Sequence, residues 1–171
     1  MKLLFNTSVD KAKVFQTIEK KLCDNEFNII SMDVDRPWGG FFVIDEKQSE
    51  AFIKEYFSEI NQKELGFDKK LSPKFLVVGP GKKLSWQYHF RREEFWKVIS
   101  GEVGIVTSDT DKQNEMKNYR AGSVIKLKNG ERHRLIGLKS WGIVAEIWQH
   151  TDDNHPSDEE DIIRLQDDYG R

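Results

Sequence analysis

The chain has 171 residues, of which 37% are hydrophobic, and this is typical of one domain with a buried core. Its 27 basic and 29 acidic residues leave a formal net charge of -2, so no overall positive field favours nucleic acid as a partner. The single cysteine, Cys23, excludes an internal disulfide and a cysteine-based zinc site. No apolar stretch reaches the length of a signal peptide core or a membrane span, so we expect a cytoplasmic protein without a membrane partner.

Two amphipathic helices are predicted in the first half of the chain. The first follows a cap at Ser8 or Asp10, and its apolar residues recur at helical spacing at Val14, Phe15, Ile18 and Leu22. The second begins near Ser49 and ends before Gly66. We expect both helices to pack on the rest of the domain, with Cys23 as a buried thiol on the first.

The segments outside the helices predict a sheet-rich domain. Residues 36–44 contain one proline and two glycines before a short apolar run, which indicates entry into a sheet. From Ser72 onward, β-prone runs alternate with turn residues, and Asn129-Gly130 is the strongest hairpin signal. The predicted strands are Phe75–Val78, Leu84–His89, Phe95–Ser100, Val103–Thr107, Ser123–Leu127, His133–Ile136 and Gly142–Gln149. This spacing predicts a mainly β sandwich or small barrel.

One domain accounts for the whole chain, 1–171. We divide it into a helical N-terminal extension (1–35), a helical insertion (48–71), a barrel core (72–150) and an acidic C-terminal tail (151–171). The tail is expected to wrap the surface, anchored by Ile162, Ile163 and Leu165, with His150 and His155 exposed. The five tryptophans are expected in the core or at an interface rather than in a sugar-stacking pocket.

The candidate functional residues lie on the predicted strand Leu84–His89 and after it. Its period of two places Gln87 and His89 on one face, a tight turn returns Glu94 to the same space, and His133 follows the later hairpin. Two imidazoles, a carboxylate and an amide oxygen suit zinc, manganese or iron. Each residue alone also fits a structural role, as a hydrogen-bonded barrel histidine, a core amide or an exposed strand end. Their joint spacing favours the metal site.

The spacing of these residues resembles the two cupin motifs, with Gln87 where many cupins have their first histidine. More closely, several segments resemble the cupin domain of type II mannose-6-phosphate isomerases, which is often fused behind a mannose-1-phosphate guanylyltransferase. The resemblance covers residues 36–171 apart from the insertion. It rests on Arg36-Pro37-Trp38-Gly39, Ser85-x-Gln87-x-His89, Arg92-x-Glu94-x-Trp96, Ala121-Gly122, His133-Arg134-Leu135 and the ending from Glu160 to Arg171.

The resemblance implies a cupin-type double-stranded β-helix, a jelly-roll barrel, with added α-helices. It implies Gln87, His89, Glu94 and His133 as the ligands of a divalent metal ion, with zinc expected ahead of manganese or iron. The implied activity is the interconversion of mannose 6-phosphate and fructose 6-phosphate through an enediol. A homodimer is also compatible with a barrel whose edge strand a partner covers.

Two arginines match family positions and could hold the substrate phosphate. Arg92 is the substrate-binding candidate and Arg134 the catalytic one, although strict strand alternation aims Arg134 away from His133. Neither the spacing nor the resemblance identifies the base that moves a proton between the two carbons.

The chain also departs from the family pattern. Phe90, Arg91 and Phe95 stand where histidines are common, and Lys128 replaces a usual proline, so the identity of the sugar stays open. A glycine-rich nucleotide-binding signature is absent from the sequence, so guanylyltransferase activity is not carried over. The alternatives are another metal-dependent cupin enzyme, such as an oxygenase, and a non-catalytic sugar-binding cupin.

Overall fold

Two antiparallel sheets face each other in the computed structural model, which describes residues 5, 8–61, 64–66 and 68–170. Arg171, the last residue of the motif quoted above, lies outside these residues. The six-stranded sheet has the order β1-β2-β3-β10-β5-β8, and the five-stranded sheet has the order β11-β4-β9-β6-β7. The strands are β1 (Ile29–Asp33), β2 (Gly39–Ile44), β3 (Leu71–Val78), β4 (Trp86–Tyr88), β5 (Arg92–Ser100), β6 (Glu102–Ser108), β7 (Lys117–Arg120), β8 (Val124–Leu127), β9 (Arg132–Gly137), β10 (Gly142–His150) and β11 (Ile163–Gln166).

Two α-helices and two 3₁₀ turns complete the described structure. Helix α1 (Lys11–Asp24) begins at Asp10, whose side chain accepts a hydrogen bond from the backbone of Ala12, so the expected cap is confirmed. Helix α2 (Ser49–Tyr56) follows a 3₁₀ turn at Glu46–Gln48, and a second 3₁₀ turn covers Glu159–Asp161. No helix among these described elements is both long and apolar enough to cross a membrane.

The six-stranded sheet separates two apolar clusters. On its outer face it packs against α1 and α2, through a cluster that includes Val14, Phe52, Phe75, Phe95 and Ile143. On its inner face it packs against the second sheet, through a cluster that includes Leu76, Trp96, Val103, Leu135 and Val144. Because successive strand residues point to opposite faces, β3, β5 and β10 supply residues to both clusters. The expected packing role of the helices is confirmed.

The inner face of the six-stranded sheet changes from apolar to polar along its strands. Toward one end, the inward positions of β10 pass from Val144 to Glu146 and then to Trp148, and those of β5 pass from Val98 to Glu94. The apolar end forms the interior cluster, and the polar end lines a cavity that also contains residues of β3 and β4. The polar side chains of the barrel interior therefore lie at one end of the barrel.

Three details differ from the sequence-based expectations. Strands β1 and β7 were not predicted, and α2 ends at Tyr56, well before Gly66, although Phe57 and Leu65 beyond it remain fully buried. Both residues belong to the core and are apolar, so the sequence pattern beyond Tyr56 resembles that of a longer helix. Cys23 is exposed rather than buried, because the inward stripe of α1 runs through Leu22 and the next residue turns away from it.

The C-terminal segment also differs. It pairs as β11 with β4, and Ile163 and Leu165 are exposed instead of anchoring it. A buried polar residue, Asp161, does so: its carboxylate accepts hydrogen bonds from the backbone N–H groups of Phe90 and Arg91. The segment is therefore fixed to the loop that follows β4.

His150 is buried, at 1% exposure, so its predicted surface position is wrong, whereas His155 is exposed as expected. The inward alternation of β10 continues to its last residue. There, Nδ1 of His150 accepts a hydrogen bond from the backbone N–H of Ser157 at 2.9 Å. The ring proton therefore lies on Nε2, which donates to Oγ of Ser72 at 2.8 Å.

Candidate metal centre

Three buried side chains converge at the polar end of the barrel. One potential ligand atom each from His89, Glu94 and His133 lies within 4.8 Å of the others. The two histidine Nε2 atoms are 3.3 Å apart. The carboxylate oxygens of Glu94 lie 3.2 Å from Nε2 of His89 and 3.4 Å from Nε2 of His133. The structure thus brings together three of the four ligands expected from the sequence.

Two connections between strands set these positions. His89 follows β4 and Glu94 lies on β5, while His133 lies on β9 opposite Gln87 of β4. The turn between β8 and β9 needs a left-handed residue, which Gly130 supplies with φ of 75°. Its N–H donates to the backbone carbonyl of His89 at 2.8 Å. Asn129-Gly130 forms the predicted turn but not the predicted hairpin, because β8 pairs with β5 in one sheet and β9 pairs with β4 and β6 in the other. The turn fastens one histidine-bearing segment to the other.

Backbone carbonyls fix the tautomer of both histidines. Nδ1 of His89 faces the carbonyl of Asp161 at 3.4 Å, and Nδ1 of His133 faces the carbonyl of Glu131 at 3.0 Å. A carbonyl only accepts, so each ring carries its proton on Nδ1. Both Nε2 lone pairs consequently point into the cluster, which is the arrangement typical of metal-ligating histidines.

The donor set fits a divalent cation. Two Nε2 lone pairs and a carboxylate face one another and cannot hydrogen-bond among themselves. Within the described residues, Oε2 of Glu94 is buried without a hydrogen-bond partner, a costly arrangement that a cation would relieve. Imidazole and carboxylate ligands suit zinc, manganese and iron, so the donor types do not choose among these ions.

Arg92 supplies positive charge beside the cluster. Its Nε donates to Oε1 of Glu94 at 2.7 Å, and its Nη2 lies 3.0 Å from Nε2 of His89. Burial alone would raise the pKa of Glu94, but the positive charge and hydrogen bond of Arg92 oppose it, and the pKa lies at about 2. Burial lowers the pKa of His89 to about 3, against the attraction of Glu94. Both ligands are therefore in their metal-binding protonation states at neutral pH.

The fourth expected ligand, Gln87, lines the same cavity. Its Oε1 accepts a hydrogen bond from Oγ of Ser85 at 2.7 Å. Ser85, Gln87 and His89 therefore share one side of the β4 segment, in agreement with the predicted alternation. The assignment of Gln87 as a ligand stays a prediction.

A second carboxyl group lies deep in the cavity. Glu146 on β10 is 4% exposed, and its Oε1 accepts a hydrogen bond from Nε1 of Trp96 at 2.9 Å. Burial and the charge of Glu94 raise the pKa of Glu146 to about 8, although Lys74 and Arg92 oppose the shift. Lys74 is also buried, with its ammonium 3.3 Å from the ring centroid of Trp148, and burial lowers its pKa.

Arg134 is placed elsewhere. It is buried, and it donates from Nε to the carbonyl of Leu84 at 2.8 Å and from Nη2 to the carboxylate of Asp168 at 3.0 Å. It does not line the cavity that contains Gln87 and Glu94. Strand alternation separates it from His133, as the sequence indicated, so its catalytic role stays a prediction without support from its position.

Sequence reasoning missed Glu146, Lys74 and Asp161. The signal for Glu146 was its position in an otherwise apolar strand, two residues before Trp148. A carboxylate at an inward strand position costs free energy unless it is paired or functional. Lys74 could have been found in the same way on β3. Asp161 could not, because its place depends on how the tail folds back.

All five tryptophans are buried, and Trp38, Trp96 and Trp148 also line the cavity.

Comparison with known sequences gives one family match and similar relatives. The family model described as "Mannose-6-phosphate isomerase C-terminal" matches residues 56–167, which is more than half of the chain. A mannose-1-phosphate guanylyltransferase from Salmonella montevideo is 26% identical over 171 residues, covering 99% of this chain and 30% of the relative. The xanthan biosynthesis protein XanB from Xanthomonas campestris pv. campestris (strain B100) is 28% identical over 143 residues, covering 81% of this chain and 23% of the relative. The chain thus spans less than a third of either protein.

Solved structures with a similar fold include oxalate decarboxylases. The Bacillus subtilis enzyme OxdC superposes with a TM-score of 0.55 at 12% identity, covering 79% of this chain and 30% of that chain. Another oxalate decarboxylase structure gives a TM-score of 0.52 at 18% identity, covering 82% of this chain and 30% of that chain. At such identities the likeness is one of fold, and it confirms the predicted cupin barrel. The family match shows that the chain belongs to the mannose-6-phosphate isomerase C-terminal family of cupin domains.

Proposed function

We propose that the chain is a metal-dependent isomerase that interconverts an aldose phosphate and a ketose phosphate, with mannose 6-phosphate and fructose 6-phosphate as the pair. The observation that carries the proposal is the convergence of His89, Glu94 and His133 within 4.8 Å. Of these three residues, Glu94 also lines a cavity that contains cationic side chains. Family membership supports the choice of sugar phosphate. The proposal concerns this domain alone, without the nucleotidyl transfer named for its longer relative.

Each ligand would act in the protonation state that its surroundings favour. His89 and His133 would offer their Nε2 lone pairs, Glu94 its carboxylate, and Gln87 its amide oxygen. A divalent ion held by these residues would supply Lewis-acid polarisation of the carbonyl and the adjacent hydroxyl of a bound substrate. This is the polarisation that enediol formation needs, because negative charge develops on oxygen when the neighbouring carbon loses its proton.

The rest of the cavity suits an anionic sugar. Arg36 and Arg164 line it together with the buried Arg92, and arginine recognises phosphate through paired N–H donors. Arg92 already hydrogen-bonds to Glu94 and to Oγ of Ser157, so its direct contact with substrate remains the prediction made from the sequence. Trp148 has a buried Nε1 without a partner in the described residues, and a substrate oxygen would satisfy it.

The test is an isomerisation assay on protein stripped with a chelator and then reloaded separately with zinc, manganese or iron. Turnover of mannose 6-phosphate should vanish on stripping and return with at least one ion. The variant His89→Ala should stay inactive after reloading, whereas His155→Ala, a change at an exposed histidine, should behave as the wild type. Full activity of His89→Ala would overturn the mechanism. Activity on another sugar phosphate alone would retain the mechanism and change the substrate.

A further inference from the structure

One buried carboxyl group at the polar end of the barrel has no role among the expected ligands. Glu146 lies on β10, the strand between β3 and β5, and its side chain points inward with those of Val144 and Trp148. It lines the same cavity as Glu94 and Gln87. Of the three carboxylates among the lining residues, Glu94 belongs to the ligand cluster and Glu159 has a side chain that is 60% exposed. Glu146 is thus the buried acid beside the ligands.

The strand register places Glu146 next to the cluster without making it part of it. On β5, Trp96 lies directly opposite Glu146, and Glu94 lies opposite Trp148. Glu146 and Glu94 are therefore diagonal neighbours on one face of the sheet, and the backbone positions of such neighbours are typically roughly 7–8 Å apart. Both side chains line the same cavity, so a substrate bound there can contact both.

Packing holds the Glu146 carboxyl group in one orientation. Nε1 of Trp96 donates to its Oε1, and the same indole ring meets the His133 ring edge-on, at 5.4 Å between centroids and 86° between planes. One side chain therefore fixes both a metal-ligand candidate and the neighbouring acid. Lys74 lies opposite Glu146 on β3, and its charge favours the ionised carboxylate.

We propose that Glu146 is the general base that carries the proton between C2 and C1 of the sugar phosphate, a role that rests on the isomerase function proposed above. The carboxylate takes the proton from C2, the electron pair of the C2–H bond forms the C1=C2 double bond, and the C1 carbonyl oxygen gains a proton from water. The C2 hydroxyl then gives its proton back to water, and its O–H electron pair forms the ketone of the product. The C1=C2 electron pair at the same time takes a proton from the Glu146 carboxylic acid to form the new C1–H bond, which restores the carboxylate.

The surroundings of Glu146 support this role. A proton carrier works best when its pKa lies near the operating pH, and the raised pKa of this carboxyl group meets that condition far better than that of Glu94. The two carboxyl groups are therefore separated in function by their environments, one permanently charged as a ligand and one able to gain and lose a proton.

The experiment compares metal-loaded wild type with Glu146→Gln in D₂O, measuring turnover, deuterium at C1 of the product and bound metal per chain. We expect Glu146→Gln to keep its metal and to lose turnover by about 10²–10⁴-fold, the usual contribution of a general base. Glu93→Gln, the same change on the outer face of β5, is the matched control and should turn over as the wild type. Glu146→Asp, which keeps the acid, should recover part of the lost turnover and guards against a simple folding defect.

The outcomes separate this proposal from the isomerase function. Wild-type turnover in Glu146→Gln would overturn the role of Glu146 and leave the isomerase intact. Deuterium at C1 of the wild-type product would support proton transfer through an exchangeable carboxyl group, because hydrogen passed directly between the carbons brings in no solvent deuterium. A fully metal-loaded wild type that converts no sugar phosphate would overturn both proposals.

Discussion

Nη2 of Arg92 lies 3.0 Å from Nε2 of His89, the atom with which His89 would bind a metal ion. The same guanidinium donates from Nε to Glu94 at 2.7 Å and from Nη1 to Ser157 at 2.9 Å. A lone pair binds one partner at a time, so the guanidinium would compete with a metal ion for Nε2 of His89. Arg92 neutralises Glu94, and it would have to release His89 for an ion to bind there.

Replacing Arg92 by methionine tests this balance. In chelator-treated protein the change leaves the buried Glu94 without its counter-charge, and we expect the free energy of unfolding to fall by about 3–5 kcal/mol. A saturating divalent ion should reduce this loss, because it supplies positive charge to the same carboxylate. Urea unfolding with and without metal measures both values. An equal loss of unfolding free energy with and without metal would contradict the competition between Arg92 and the ion. Arg120→Met, which removes an exposed ion pair, is the control.

Replacing Arg134 by alanine distinguishes a structural role of this side chain from a catalytic one. Because its guanidinium binds Leu84 and Asp168 away from the ligand cluster, Arg134→Ala should lower the free energy of unfolding by about 1–3 kcal/mol through lost buried hydrogen bonds. The turnover rate of the folded variant, measured well below its melting temperature, should match that of the wild type. If stable, metal-loaded Arg134→Ala instead loses nearly all of its turnover, the catalytic role that the family resemblance implies is supported.

The burial of His150 predicts that the folded protein loses stability in mild acid. Burial lowers the pKa of His150 to about 4, and the charge of Lys70 acts in the same direction. The unfolded chain, with an ordinary histidine pKa near 6.5, therefore binds the proton more readily than the folded one. Stability should fall as the pH drops from about 6.5 to about 4. Chemical unfolding at pH 7 and pH 5 should show a smaller difference for His150→Gln than for the wild type, and equal differences would contradict this assignment.

The sequence predicted those features that depend on local pattern. The alternation through Ser85, Gln87 and His89 and the Asn129-Gly130 turn were sufficient to place both histidines, and the period of α1 identified its buried face. The quoted motifs identified the cupin barrel. These features are set by neighbours in sequence, so the order of residues is enough to predict them.

The missed features depend on distant contacts. The burial of His150 follows from hydrogen bonds to Ser72 and Ser157, and the orientation of His89 follows from the backbone of Asp161. Both involve the C-terminal segment, whose acidic composition is typical of a solvated surface. Its pairing as β11 could not be predicted, because its apolar residues Ile163 and Leu165 are exposed and the segment is held instead by backbone pairing and by the buried Asp161.

The central claim is that His89, Glu94 and His133 together bind a divalent metal ion. Elemental analysis of purified wild type, Glu94→Gln and His155→Ala, combined with calorimetric titration of each stripped protein with zinc, tests it most directly. We predict about one ion per chain in the wild type and in His155→Ala, and a loss of affinity of about 100-fold or more in Glu94→Gln, which keeps the size of the side chain but removes its charge. Wild-type metal content and affinity in Glu94→Gln would contradict the account.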